Sequence, residues 1–246
     1  MVANIANALH GAVYKPATQL ISQCKDSANW KERRVAYVVI SHIADGCKKQ
    51  VENDLKTFLN ILLSGLNDSI SSFPRLWIGC PRIVFVALQA IAYCSVALPT
   101  LFQKKCGVDV IRGILTLINK NPCLRLQAMI ASCLGQFCAV EMITRKIFKN
   151  TLPDLVQWLY NLCTVNQPVV QTEAIAALGY LCRAVKADFA PFFHQVVQGL
   201  LGILGEPVKN DTINVHVSAS MCLCKMIYLG YSFYSFTCFF YGWCSF

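Results

Sequence analysis

Cysteine and histidine are the residues in this sequence of 246 that could bind a metal or act as nucleophile and base. There are 14 cysteines and four histidines. A zinc site needs ligand pairs two to four residues apart in matched sets. The closest cysteines are Cys222 and Cys224, no CxxC motif occurs, and the histidines lie far apart in sequence. The spacing therefore predicts no metal site, and we expect no cofactor.

The motifs that mark common enzyme classes are also missing from the sequence. GxGxxG, GxxxxGK[ST], GxSxG and HExxH do not occur. The chain therefore lacks the usual motifs for binding nucleotide phosphates, for acyl hydrolysis and for metal-assisted hydrolysis. We assign no catalytic residue. The sequence predicts a protein that is not an enzyme.

Most cysteines lie within apolar segments of helical period, such as Cys94, Cys133 and Cys182. A reduced cysteine behaves as a small apolar residue that is commonly buried. The amino-terminal stretch MVANIANALHGAVYK lacks the basic start and long apolar run of a signal peptide. We therefore expect a reducing compartment, cytosol or nucleus, and no disulfide framework.

The composition is apolar and basic. Hydrophobic residues make up 55% of the chain and charged residues 14%, with 22 Lys+Arg against 13 Asp+Glu and a net charge of +9. The densest basic clusters (31–34, 48–49 and 104–105) are shorter than a nucleic-acid-binding tail, so we expect no nucleic-acid partner. Such a composition fits a membrane-embedded chain, a helical array with broad buried surfaces, or part of a larger protein.

An apolar stripe recurs along the chain at a nearly constant interval. In segment 29–46, the residues Ala36, Ile40, Ile43 and Ala44 share one face of a helix. The stripes downstream are Val84, Leu88, Ile91 and Ala92; Ile130, Leu134, Phe137 and Cys138; Ala174, Leu178, Leu181 and Cys182; and Ala219, Leu223, Met226 and Ile227. Their central residues, from Ile40 to Leu223, are 48, 46, 44 and 45 positions apart. This period is typical of HEAT and armadillo arrays, at about 40–47 residues.

Each interval also contains a second amphipathic helix. These helices are predicted at 14–25, 51–67, 108–119, 152–163 and 189–205. Polar turns at 26–29, 119–122 and 165–168 separate several pairs, Pro153, Pro168 and Pro191 fall near helix starts, and Asp188 is the predicted N-cap of the last of these helices.

The sequence thus predicts an all-α fold, an α-α superhelix (HEAT-repeat solenoid) of about five helical hairpins. The repeat array covers residues 1–230, and an aromatic non-repeat tail follows at 231–246. The hairpins are predicted at about 14–46, 51–97, 101–140, 147–186 and 189–230. We call the first helix of each hairpin its A helix and the second its B helix.

Two segments depart from the repeat. Residues 68–82 carry Pro74, Gly79 and Pro81 where a short turn is expected, which indicates an irregular insertion. The 21 residues after Lys225 carry no charge, and they are either a C-terminal membrane anchor or an exposed end of the array. The uncharged stretch 83–103 is explained by the repeat, so we expect no membrane association.

Three ordered segments resemble the importin β (karyopherin β) superfamily, most closely the karyopherin-β-three branch of Ran-binding importins. NWKERRVAYVVISHIADGCKKQ (29–50) resembles a B helix of that superfamily. FQKKCGVDVIRGILTLINKNPCLRLQAMIASCLGQF (102–137) and VVQTEAIAALGYLCRAVKADFAPFF (169–193) resemble the regions that follow it. The resemblance covers most of 14–230 and implies an interior HEAT-repeat segment.

The resemblance implies a nuclear transport receptor or fragment that binds cargo proteins along its B helices for nucleocytoplasmic import. It further implies Ran-GTP and nucleoporins as partners in a longer form, in cytoplasm and nucleus. The candidate partner-binding residues on the B-helix face are Lys31, Arg34, His42, Asp45, Arg125, Gln136, Tyr180, Arg183, Asn214 and Lys225. Because this row is mostly basic, an acidic cargo or another receptor segment fits it better than a basic signal. The alternatives are a generic HEAT scaffold or regulatory subunit, and a tail-anchored membrane protein.

Overall fold

The computed structural model of the chain describes residues 11–68, 82–120, 122–139, 147–148 and 150–228. Helices account for nearly all of these residues, and none of them lies in a β-strand. The helices are α1 (Tyr14–Cys24), α2 (Trp30–Gly46), α3 (Lys48–Leu66), α4 (Arg82–Ala97), α5 (Pro99–Ile118), α6 (Leu124–Cys138), α7 (Leu152–Cys163), α8 (Pro168–Val185), α9 (Ala190–Gly205) and α10 (Ile213–Tyr228). A short 3₁₀ turn, Lys186–Phe189, joins α8 to α9.

The even-numbered helices stack against one another in chain order, α2 on α4, α4 on α6, α6 on α8 and α8 on α10. The odd-numbered helices form the other layer and pack on these. Each helix therefore contacts mainly its neighbours along the array, which is the architecture of an α-solenoid. The predicted fold class is confirmed. We propose to divide the array into the hairpins α1–α2, α3–α4, α5–α6, α7–α8 and α9–α10, whose B helices are the even-numbered ones.

The recurring stripes form the core between the two layers. Every member of the first four stripes is buried, and their central residues Ile40, Leu88, Leu134 and Leu178 are 0% exposed. The last stripe differs, because Leu223 is only partly buried and Ile227 is 52% exposed. Helix α8 is packed between α6 and α10, whereas α10 packs on α8 and α9 and has no further described B helix beside it. The last stripe is therefore only partly core.

Helix ends follow local chemistry for the most part. The side chain of Asn29 accepts a hydrogen bond of 3.0 Å from the Lys31 backbone N–H and caps α2. Pro153, Pro168 and Pro191 occupy first-turn positions, where a missing N–H has no partner to lose. Asp188 does not cap α9, because it lies inside the 3₁₀ turn and α9 begins directly after Phe189.

Arg33 links the hairpin containing α2 to the next hairpin. Its guanidinium lies 2.8 Å and 3.1 Å from the two carboxylate oxygens of Asp68, at the end of α3. The same side chain donates to the backbone oxygens of Ser27 and Ala28 in the preceding turn. This bidentate, half-buried pair fixes the α1–α2 turn against α3. Most of the predicted 68–82 insertion and the whole 231–246 tail lie outside the described residues.

Helix α5 starts nine residues earlier than the predicted 108, at Pro99. The polar Gln103 is nevertheless buried, because its side-chain amide donates a 3.0 Å hydrogen bond to the Phe137 oxygen on α6. The helical conformation is interrupted at Leu98, between α4 and α5. This interruption lies inside the uncharged stretch 83–103. Among the described residues no helix combines the length and the apolar character needed to span a membrane.

The cysteines of the described region are free thiols, and most lie in the core. Burial raises the pKa of Cys106 to about 11 and that of Cys94, Cys133 and Cys163 to about 12. A thiol held in its protonated form is a poor nucleophile and a poor metal ligand. These cysteines therefore act as small apolar side chains.

The buried thiols predict a loss of stability at alkaline pH. A thiol with a raised pKa stays protonated in the folded chain while the unfolded chain ionises it, so stability is intact below the unfolded pKa and falls as pH rises. Cys133→Ala removes one such group. We expect its unfolding free energy to fall by about 1 kcal/mol less than that of the unmodified chain between about pH 8.5 and 9.5. Urea denaturation followed by circular dichroism measures both slopes, and equal slopes would contradict the prediction.

Two helical glycines predict opposite responses to alanine. A Cβ on Gly65 would lie 2.6 Å from the Tyr37 ring and 2.9 Å from the Ala87 Cβ, whereas a Cβ on Gly202 meets nothing within 4 Å. Gly65→Ala should destabilise the fold by about 1–2 kcal/mol through overpacking. Gly202→Ala should stabilise it by up to about 1 kcal/mol through helix propensity. Thermal and urea unfolding measure both changes in stability. A Gly65→Ala protein as stable as the unmodified chain would contradict the close contact at Gly65.

Candidate functional site

Each B helix keeps one stripe that neither the A helices nor the neighbouring B helices cover. On α6 the stripe consists of Arg125, Met129, Ser132 and Gln136, which are exposed or partly buried. Their spacing of three or four residues places them on one helical face. The same spacing recurs on the other B helices, so five stripes lie side by side. We call this surface the B-helix face.

The structure leaves all ten candidate partner-binding residues at least partly accessible. The exposed ones are Lys31, Arg34, Asp45, Arg125, Gln136 and Asn214, and the partly buried ones are His42, Tyr180, Arg183 and Lys225. Three of them, Tyr180, Arg183 and Lys225, come together in one contact cluster across α8 and α10. The other seven do not contact one another through any bond or ring contact that the structure shows.

Helix α4 contributes residues to this face that the sequence prediction missed. Arg82, Gln89, Tyr93 and Val96 are exposed, and Phe85 is partly buried. The sequence held a signal for Gln89, since it lies 47 positions after His42 and 47 before Gln136. Tyr180 and Lys225 follow at 44 and 45 positions. We call these five residues, one on each B helix, the central row.

Cations stack on aromatic rings of the preceding B helix near the amino-terminal ends of the B helices. The Arg82 guanidinium on α4 lies 4.9 Å from the centre of the Trp30 ring on α2. The Arg125 guanidinium on α6 lies 5.5 Å from the centre of the Phe85 ring on α4. Such contacts hold the long side chains in place while leaving their charge in position to attract an anion.

The cation cluster, defined as Tyr180, Arg183 and Lys225, lies toward the other ends of these helices. The Lys225 nitrogen is 3.5 Å from the centre of the Tyr180 ring, and the Arg183 guanidinium is 5.6 Å from it. Arg183 also donates a hydrogen bond to the backbone oxygen of Ala139 at the end of α6. One aromatic ring therefore positions two cations, and the cluster ties together three successive B helices.

A separate cavity of about 340 Å³ lies between α7, α8, α9 and α10. Several of its polar groups are engaged with the backbone. The Gln171 amide donates to the Cys163 oxygen at 2.9 Å, and the two ring nitrogens of His216 face the Thr212 and Glu206 oxygens at 3.0 Å and 3.2 Å. Because the Gln171 and His216 side chains are committed to these contacts, this cavity is a weaker candidate than the B-helix face.

Within the described part of the chain, no three His, Cys, Asp or Glu side chains are grouped so that they could hold a metal ion. The B-helix face offers cations, amides, aromatic rings and aliphatic groups, and these functions bind rather than react. Aromatic, methionine and arginine side chains are the groups enriched at protein interfaces.

No family model matches the chain. Importin subunit beta-3 of Saccharomyces cerevisiae is 22% identical over 198 residues, which are 80% of this chain and 17% of that protein. A probable importin-5 homolog of Dictyostelium discoideum is 35% identical over 66 residues, 25% of this chain and 6% of that protein. The resemblance to the importin β superfamily is confirmed.

The solved structure of Kap121p shares the fold. It superposes with a TM-score of 0.79 at 19% identity, covering 92% of this chain and 20% of that one. Kap121p bound to Pho4p and Kap121p bound to Nup53p match equally well. This chain therefore spans about a fifth of the length of these importin-like arrays, as a HEAT-repeat segment.

The cation cluster predicts a measurable coupling between α8 and α10. Tyr180→Leu and Lys225→Met each remove one side of the ring contact, and we expect a coupling free energy of about 0.5–1 kcal/mol in a double-mutant cycle. Urea unfolding of the unmodified chain, the two single variants and the double variant gives this value. The matched control is the Phe85→Leu and Lys225→Met pair, whose members do not touch and should be additive. Additivity in both pairs would exclude the contact.

Proposed function

We propose that the chain is a nuclear transport receptor-like segment that binds protein partners through the B-helix face and carries out no catalysis. The observation that carries this proposal is the continuous uncovered face of five stacked B helices, in an array with the Kap121p fold. Small contacts repeated on successive helices add up when one partner spans several of them. The ten candidate residues and the five residues of α4 form the proposed contact surface.

The comparisons support a protein partner. Kap121p has been solved with Pho4p, with the SUMO protease Ulp1p, with the extreme C-terminus of Cdc14p, with Ste12p and with Nup53p. By analogy, the proposed partners of this chain are cargo proteins and nucleoporins, with release by Ran-GTP in a longer form. The proposed locations are cytoplasm and nucleus, where such a receptor would shuttle.

The test is capture of proteins from a cell extract by the immobilised full-length chain. Gln136 is exposed at the middle of the B-helix face, and Gln198 is exposed on the A helix α9. Gln136→Trp should block an extended partner and reduce capture about tenfold, since bulk at the centre of an interface removes several contacts at once. Gln198→Trp adds the same bulk to the other layer and should leave capture unchanged.

Ran locked in its GTP state is then added to the loaded chain. Release of the captured protein supports a working receptor segment. Capture that depends on Gln136 but is indifferent to Ran supports the B-helix face and assigns Ran-dependent release to the longer form alone. Equal capture by the two tryptophan variants would refute binding through the B-helix face.

A further inference from the structure

Every B helix brings a basic side chain to the B-helix face. These residues are Lys31 and Arg34 on α2, Arg82 on α4, Arg125 on α6, Arg183 on α8 and Lys225 on α10. Helices α4, α6 and α10 carry no Asp or Glu at all. The positive charge is therefore distributed along the whole array rather than gathered on one helix.

The B helices carry three carboxylates against the six basic residues just named. Glu32 accepts hydrogen bonds from Ser27 and Asn29 in the turn before α2. Asp45 lies 3.0 Å from the Lys48 nitrogen. Glu173, on α8, is the remaining one and is partly buried. Within the described part of the chain, Arg125, Arg183 and Lys225 form no ion pair with any carboxylate.

Aromatic contacts prepare three of these cations for an anionic ligand. Arg125 lies over Phe85, and both Arg183 and Lys225 lie over Tyr180. A ring restricts the rotamers of the side chain without neutralising its charge, so less conformational entropy is lost when an anion binds. A guanidinium held in this way can present two N–H groups to one carboxylate.

The repeat geometry sets the distance between successive B helices along a bound peptide. Packed helices lie about 8–10 Å apart, and an extended peptide rises about 3.3 Å per residue. Successive B helices therefore come opposite every third residue of an extended chain that crosses them at one level, whereas Arg125 and the cation cluster lie near opposite ends of their helices. Between the cations, the face presents Gln89, Gln136, Met129 and other amide and apolar groups, which suit a peptide backbone and its intervening side chains.

We infer that the partner is an acidic protein segment, and that the cation cluster binds one of its carboxylates. This inference rests on the proposed function and names the chemical class of the partner. Tyr180 forms the platform, Arg183 and Lys225 supply the charge, and Arg125 adds to the positive potential of the array.

The test uses the full-length chain and a fluorescein-labelled synthetic peptide of about 15 residues with Glu at every third position. Comparison probes are the same peptide with Lys in place of Glu, a peptide of the same composition with its Glu residues contiguous, and a single-stranded oligouridine of similar length. Fluorescence anisotropy gives the affinity of each. We expect both Glu peptides to bind at least about tenfold more tightly than the Lys peptide.

Charge reversal locates the site. Arg183→Glu combined with Lys225→Glu should weaken the spaced Glu peptide about tenfold or more, because two attractions become repulsions. Lys56→Glu combined with Lys104→Glu makes the same change in net charge on exposed A-helix positions and should leave the affinity within about twofold. If circular dichroism shows that the first variant is unfolded, Arg183→Gln with Lys225→Gln takes its place, with a smaller loss in the same direction.

The remaining outcomes each overturn the inference in a distinct way. Tighter binding of the Lys peptide would show that the partner is basic while leaving the proposed protein-binding role intact. Tighter binding of oligouridine, lost with the charge reversal, would assign the cations to nucleic acid. Equal losses of peptide affinity in both double variants would show that the effect comes from net charge alone. If, in addition, Gln136→Trp leaves extract capture unchanged, the proposed function fails as well.

Discussion

The close approach of the B helices α6, α8 and α10 is the constraint on which the rest of the structure depends. A Cβ on Gly135 of α6 would lie 3.4 Å from the Cα of Ala177 on α8, and a Cβ on Gly179 of α8 would lie 3.2 Å from the Cys222 sulfur on α10. Both glycines occupy the position directly after the central residue of their stripe. Because no side chain separates the helices there, the stripes beside that contact become a dense core. The same contact brings Tyr180 within reach of Lys225 across the helix pair.

The sequence was sufficient to predict the repeat, because burial and helical period leave a direct trace in residue order. Ile40, Leu88, Leu134 and Leu178 lie in the core as their interval predicted. The helix between 152 and 163 has the predicted bounds. The sequence prediction placed the start of α5 too late. The reason is that the apolar pattern of its first turns also fits a continuation of α4. Asp188 was misassigned as a cap because the intervening 3₁₀ turn depends on tertiary packing rather than on a local motif.

The details of the B-helix face could not be read from one sequence in the same way. Which polar residues remain exposed depends on the rotation of each B helix, and α4 is rotated so that Arg82, Phe85 and Gln89 join the face. The stacking of Arg125 on Phe85 links residues 40 positions apart in the chain. Such a contact depends on the register between hairpins, which the stripe alone leaves free. The cysteines show the converse, since Cys138 and Cys182 occupy equivalent buried positions where Ala44 and Ala92 lie in earlier repeats, so side-chain size explains them.

The stacking of neighbours also makes the array mechanically compliant. Each hairpin contacts chiefly the hairpins beside it, so a small rotation at each B-helix contact is inherited by every helix farther along the chain. The separation between Arg34 at one end and Lys225 at the other is therefore a property of superhelical curvature rather than of any single contact. A ligand that bridges several hairpins would bind one curvature better than the others and would shift the population toward it. In such an array, the pitch of the superhelix and the length of the bound segment are thermodynamically linked.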